Sequence, residues 1–186
     1  MKDTWFTADT HAWHGNIIGY CNRPWMDSRE MTHALADNIN DCVPAYGTLY
    51  HLGDWSWGNK MWVQGFRDMI NCNNIVLVLG NHDKMIRKDR DLQRMFTKVT
   101  DIAELNFGKR QKIVMCHYSM RVWNASFHGS WHLYGHSHGT LPEDPASLSF
   151  DVGVDCWDYK PVSMDQIADK MKKKEPKWKD ATSSRQ

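Results

Sequence analysis

A chain of 186 residues with 41% hydrophobic and 24% charged residues is long enough for one domain with a sizeable core. Lysine plus arginine number 23 against 22 acidic residues, and the net charge of +1 excludes a global field that recruits nucleic acid or an anionic membrane. Five dispersed cysteines (Cys21, Cys42, Cys72, Cys116, Cys156) form no Cys-x-x-Cys pair, an odd set that suits reduced thiols better than a disulfide framework. The opening residues carry no basic-then-apolar signal pattern, and no stretch approaches the ~20 apolar residues of a membrane helix. The expectation is a soluble, cytoplasmic protein with no membrane partner.

Thr4 to Ala8 reads as a short strand running directly into Asp9-Thr10-His11. Trp13 to Cys21 is ambiguous between loop and one helical turn, and Asn22-Arg23-Pro24 breaks it. Asp27 precedes Glu30 at capping-box spacing, and Met31, Leu35, Ile39 and Val43 recur every four residues up to Pro44, which predicts an amphipathic helix. Thr48 to Leu52 is the second strand, with Gly53-Asp54 at its end. Asn59 to Ile70 predicts a second helix burying Trp62, Phe66, Met69 and Ile70. Ile75 to Leu79 is an unbroken apolar run, the pattern of a strand buried on both faces, and it stops at Gly80-Asn81-His82-Asp83. A basic helical stretch is predicted from about Met85 to Phe96. Strand and helix alternating in this rhythm argue for parallel βαβ units.

The second half is richer in strands. Asp101 to Phe107 and Lys112 to Cys116 are predicted to pair through a turn at Gly108. Trp131 to Tyr134 and Leu148 to Val154 are two more strands, and Met164 to Met171 is a helix. A second sheet packed on the first follows. Residues 1–171 are assigned to this one domain, and the Lys-rich segment 172–186 to a flexible tail. That tail is either a solvated terminus or a basic arm for nucleic acid.

Five apolar strands each end in a potential metal ligand: Asp9 and His11, then Asp54, then Asn81 and His82, then His117, then His136 and His138. A lone histidine or a Gly-Asp turn is ordinary, but five strand ends sharing one chemistry are not explained by turns. Carboxylate, amide and imidazole donors suit manganese, iron or zinc better than a thiolate-preferring ion. Asp9 and His11, two apart on an extended segment, can point to one side, as can His136 and His138. Open α/β sheets bind ligands at this edge.

Asp9-Thr10-His11, Gly53-Asp54, Gly80-Asn81-His82-Asp83, His117 and Gly135-His136-Ser137-His138 together resemble the ordered signature of the calcineurin-like metallophosphoesterases. Asn16-Ile17-Ile18, Cys21-Asn22-Arg23-Pro24 and Tyr134 to Gly139 resemble its small uncapped bacterial and phage members. The resemblance implies an α/β fold, a four-layer α/β/β/α sandwich of two mixed sheets. It also implies two divalent metal ions, with Mn²⁺ favoured and Fe, Zn²⁺ or Ni²⁺ as alternatives. Carried over, Asp9, His11 and His138 hold one ion, Asn81, His117 and His136 hold the other, and Asp54 bridges both. In-line attack by a hydroxide shared between the ions would cleave a phosphate ester, a phosphodiester or nucleotide rather than a phosphoprotein. His82 resembles the general acid. Asp83 would fix its tautomer and raise its pKa, or else cap the helix that follows.

Candidates for substrate contacts are His14, Asn16, Arg23, Arg121 and His128, with the two guanidiniums suited to bidentate phosphate recognition. Trp13, Trp25, Trp55, Trp57, Trp123 and Trp131 fall near the motif blocks, where they are either core or walls for a nucleobase. Two rivals stand beside the phosphodiesterase: a phosphomonoesterase on a small molecule or nucleic-acid end, and a protein-binding scaffold of the same fold.

Overall fold

The computed structural model describes residues 3–107 and 111–176. The first half supplies β1 (Thr4–Thr7), α1 (Gly15–Tyr20), α2 (Ser28–Cys42), β2 (Thr48–His51), α3 (Lys60–Asp68), β3 (Asn74–Val78), α4 (Lys84–Lys88), α5 (Arg90–Gln93) and β4 (Lys98–Thr100). The second supplies β5 (Ile102–Phe107), β6 (Gln111–Cys116), β7 (Trp131–Tyr134), β8 (Ser149–Asp151), β9 (Val162–Ser163) and α6 (Met164–Lys172). One-turn 3₁₀ helices occupy Ser126–His128 and Val154–Cys156.

Strands β1 to β4 run parallel in one sheet of order β4-β3-β2-β1-β9, closed at its far edge by antiparallel β9. The second sheet has the order β5-β6-β7-β8, with β5 antiparallel to β6 and the rest parallel. Both sheets are mixed, as the α/β sandwich requires. Alternation along the strands divides the core in two. Leu49, Ile75 and Leu77 face the helices with Met31, Leu35 and Phe66. Val78, on the opposite face of the pleat, packs with Phe6, Ile113, Leu133 and Phe150, residues of both sheets. That double burial is why β3 reads as a continuous apolar run.

Helix α2 starts at Asp27 as the spacing predicts, but without the reciprocal bond of a capping box. The Asp27 carboxylate accepts from the Arg29 and Glu30 N–H groups, while Glu30 turns back to the Met26 N–H. Trp55, one residue past Asp54, is fully buried between Phe66 (4.8 Å) and Phe96 (5.1 Å). It fixes the loop after β2 to the helical side of the core, where truncating a tryptophan typically costs about 3–5 kcal/mol.

Several expectations are corrected. Trp62 is 38% exposed, because its side of α3 meets solvent; the Trp13 ring lies 4.7 Å from it. The basic stretch forms two helices, since Asp89 adopts an extended backbone and caps α5 through the Asp91 and Leu92 N–H groups. Strands β4 and β9 are two or three residues long, too short to show periodicity. β5 and β6 pair as predicted, and their turn at Gly108 lies outside the described residues. Of the segment 172–186, residues 172–176 are described. Lys174 is buried, its ammonium donating to the Asp144 and Ser149 carbonyls and pairing with Glu143. Lys177 and Lys179 lie outside the described residues.

Lys174→Ala should therefore lose charge-assisted bonds and destabilise the protein by about 1–3 kcal/mol in urea unfolding. Lys173→Ala, on an exposed neighbour, should stay within about 0.5 kcal/mol of wild type.

Candidate metal centre

The parallel strands of both sheets end on one rim. From the first sheet come Asp9 and His11 after β1, Asp54 after β2, and Asn81 and His82 after β3. From the second come His117 after β6 and His136 and His138 after β7. The loops are laced together by their backbones: Asp9 N–H donates to Gly53 O (2.9 Å), His11 N–H to Asp54 O (2.9 Å), and Gly135 N–H to His117 O (2.9 Å). Val154 N–H donates to Ala8 O across the two sheets (3.0 Å).

Asp9, His11, Asp54, His136 and His138 all have φ between 47° and 70°. Left-handed backbone costs an L-residue about 1–2 kcal/mol, and such strain gathers at functional sites. Here it turns successive side chains inward. Two glycines admit the close approach that results. A Cβ on Gly80 would lie 2.6 Å from the Asp54 nitrogen, and one on Gly135 would lie 2.6 Å from Asp9 Oδ2.

Two clusters emerge. The ligand atoms of Asp9, His11 and His138 lie within 4.8 Å of one another, and so do those of Asp54, His117 and His136. Asp54 Oδ2 stands 3.4 Å from His11 Nε2 and 3.4 Å from His117 Nε2, one imidazole from each cluster. Asn81 joins the second, its Oδ1 3.0 Å from His117 Nε2. His82 lies at the mouth, its backbone N–H held by Asp54 Oδ1 at 2.8 Å and its ring 5.2 Å from His11.

The electrostatics are those of a site that wants cations. Complete burial pushes the Asp9 carboxyl up to about 7, against the lowering pull of His117 and His138. Burial pulls His11 down to about 2, so its ring is neutral and can ligate. Asp54 is held down at about 2, because the neighbouring His117 and His11 rings outweigh its burial. Burial alone would lower His117, but Asp54 and Asp9 lift it to about 9. Asp9 Oδ1 and both nitrogens of His11 are buried without a hydrogen-bond partner among the described residues. Unsatisfied buried donors and acceptors are costly, and divalent cations fit this oxygen-and-imidazole set.

Outer contacts orient the rings. A carbonyl only accepts, so His117 Nδ1–H donates to Leu52 O (2.7 Å) and leaves Nε2 facing the cluster. His138 Nδ1 lies 2.7 Å from Asp155 Oδ2, which likewise frees Nε2. Asp155 is in turn held by Arg23 through Nε and Nη2, both at 2.8 Å. Sequence reasoning missed Asp155, although the strand before it ends in a carboxylate just as the others do. Asp151 was missed too; it accepts from Gly153 N–H (2.7 Å) and Ser137 Oγ (3.2 Å) beneath the His136 loop. Cys21 lies near His138 and Asp155, with burial pushing its thiol up to about 11, so it is a neutral neighbour.

Two candidate residues make contacts other than those expected of them. Arg23 is buried, and its Nη atoms also donate to the Asp9 and Thr10 carbonyls, so it braces the first loop and has no donor left for substrate. Asp83 stands at the N-cap position of α4, where its carbonyl accepts from the Arg87 N–H, but its carboxylate makes no capping bond there and no hydrogen bond to the His82 ring. Its carboxylate accepts from the N–H groups of Asp54 (2.8 Å), Trp55 (3.0 Å) and Gly80 (2.8 Å), clamping the β2 and β3 loops together. Of the other substrate candidates, His14 reaches the rim, stacked on Trp57 at 4.1 Å and 5.5 Å from His11. Asn16 is exposed on α1. Arg121 lines a separate cleft with Trp123, Phe127 and Asp144, and His128 is exposed on the adjacent 3₁₀ turn.

The sequence matches the family description "Calcineurin-like phosphoesterase superfamily domain" over residues 4–150. The chain belongs to that superfamily. An uncharacterized protein of Methanocaldococcus jannaschii is 32% identical over 174 residues, covering 90% of each chain. The gene 66 protein of Mycobacterium phage L5 is 24% identical over 201 residues, covering 91% of this chain and 94% of that one. The crystal structure of a protein of unknown function from Aquifex aeolicus superposes with a TM-score of 0.69 at 21% identity, covering 89% of this chain and 97% of that one. This superfamily member is thus a metal-dependent phosphoesterase by family, with His and Asp clusters able to hold metal. No helix among the described residues is long and apolar enough to cross a membrane.

Asp83→Ala should leave three loop N–H groups without their acceptor and cost about 3 kcal/mol or more, read as a lower urea midpoint at unchanged slope.

Proposed function

We propose that this protein is a dinuclear, divalent-cation-dependent phosphodiesterase. The observation that carries the reading is the Asp54 carboxylate, equidistant from imidazoles of two ligand clusters. Asp9, His11 and His138 would hold one ion; Asn81, His117 and His136 would hold the other; Asp54 would face both. Cations bound there would make hydroxide available at neutral pH and neutralise the phosphoryl oxygens.

The chain's own groups do the rest. His82, 34% exposed and 4.0 Å from Asp54 Oδ2, is placed to give a proton to the departing oxygen. Its backbone bond to Asp54 fixes it relative to both clusters, and the Trp57 ring 5.0 Å away limits its swing. Asp155 and Leu52 O keep the two inner imidazoles in the ligating tautomer. A diester is favoured over a monoester because the rim is open beside His82, leaving room for a second esterified group.

Chelation followed by Mn²⁺ addition should restore hydrolysis of bis(p-nitrophenyl) phosphate in preference to p-nitrophenyl phosphate, and Asp54→Asn should abolish both. His82→Ala should cost about 10²–10⁴-fold on a diester with an alkoxide leaving group, and much less with p-nitrophenolate, which departs without a proton. Loss of both activities in well-loaded protein would refute the reading.

Cation at a hundredfold excess over its Kd should stabilise the chelated protein by about 2.7 kcal/mol, roughly 5–10 °C in Tm. Asp9→Asn should lose that shift, and Asp155→Asn should weaken cation binding about 10–100-fold.

A further inference from the structure

One surface beside the metal centre has chemistry that ester hydrolysis alone does not use. Next to His82 is a cleft of about 350 Å³ lined by Ser56, Trp57, Gly58, Lys84 and Met85. A second cleft of about 490 Å³ shares Lys84 and Met85 with it and is bounded by Lys88, Asp89 and Arg90. The two therefore adjoin along Lys84 and Met85. They lead from the proposed acid, past an indole and a thioether, to a row of cations.

The indole is preset. One face of Trp57 lies parallel to the His14 ring, at 7°, and the residue remains 43% exposed. The cations are a local excess in a chain of net charge +1: residues 84–94 hold five basic and two acidic side chains. Both acids are engaged, Asp89 by Lys60 at 2.9 Å and Asp91 by Arg94 at 2.9 Å, and Arg87 pairs with Asp101. Among the described residues, Lys84, Lys88 and Arg90 have no carboxylate partner within ion-pair distance. Lys84 and Lys88, four apart on α4, share one face of that helix.

We propose that the leaving group is the continuing strand of a single-stranded oligonucleotide. Its first base packs on Trp57 and Met85, and its following phosphates lie along Lys84, Lys88 and Arg90. This inference rests on the phosphodiesterase reading, because His82 as acid puts the departing group on this side of the site. An aromatic platform followed by cations matches alternating base and phosphate, and stacking requires an unpaired base. A mononucleotide ester has no phosphate to reach the second cleft, so three cations there point to a longer strand.

The test compares a fluorescein-labelled single-stranded DNA 12-mer with a dinucleoside monophosphate, whose leaving group is likewise an alkoxide, both with Mn²⁺-loaded protein, and reads kcat/KM against salt. Wild type should favour the 12-mer at least about tenfold at low salt. The double variant Lys88→Ala, Arg90→Ala should shrink that preference, and flatten the slope of log(kcat/KM) against log[salt] by about 1.4, at ~0.7 per lost single-strand phosphate contact. Trp57→Ala should weaken 12-mer binding, followed by anisotropy in chelated protein, by about 5–150-fold. Equal turnover of both substrates, or a preference and slope that the double variant does not move, would overturn the proposal while leaving the phosphodiesterase reading intact. Failure to hydrolyse either ester would refute that reading instead. Anisotropy would then decide the groove: salt-dependent 12-mer binding weakened in the double variant supports it, and its absence overturns it.

Discussion

Everything at this rim follows from burying the carboxylates of Asp9 and Asp54 where two sheets meet. A buried carboxylate is costly unless opposite charge or hydrogen bonds compensate it. Histidines from both sheets surround the pair, but burial holds the His11 ring neutral, and neutral imidazole compensates a carboxylate poorly. Asp54 finds enough help to stay ionised at about 2, and Asp9, more deeply buried, is pushed up to about 7. The residual imbalance is what divalent cations are suited to relieve. The strained backbone at Asp9, His11, Asp54, His136 and His138 is tolerated because the loops are clamped from outside. Asp83 grips three N–H groups of the first sheet's loops, and Arg23 grips two carbonyls and Asp155.

The positions of the ligand candidates are legible in the sequence because strand ends are. An apolar run that stops at Gly-Asp or Gly-Asn-His announces both the strand and the direction of its end, and parallel strands must finish on the same edge. All seven ligand candidates consequently share one rim. The layered fold was legible for the same reason: β3 is apolar on both faces because there is core on each side of it.

Side-chain direction within a loop was not legible. Arg23 and Asp83 have the residue types of phosphate binder and histidine partner, yet both turn into the protein. What they meet lies far along the chain: Arg23 meets Asp155, 132 positions away, and Asp83 meets Asp54, 29 positions away. Asp155 also lies beyond residues 4–150, the span that matches the superfamily, so no family motif points to it. Lys174 misleads through composition, since a Lys-rich end looks solvated until carbonyls from a distant loop close on one ammonium.

Both clusters draw on the loop that carries His136 and His138, while their other members come from residues 9 to 117. During synthesis, β1 to β4 emerge first and could associate, yet neither ligand cluster is complete until that loop has left the ribosome and the second sheet has docked. The growing chain therefore exposes single histidines and carboxylates, never a finished high-affinity site. Any cation these clusters hold would therefore be captured only after that loop has emerged, and only on correct sheet-to-sheet assembly.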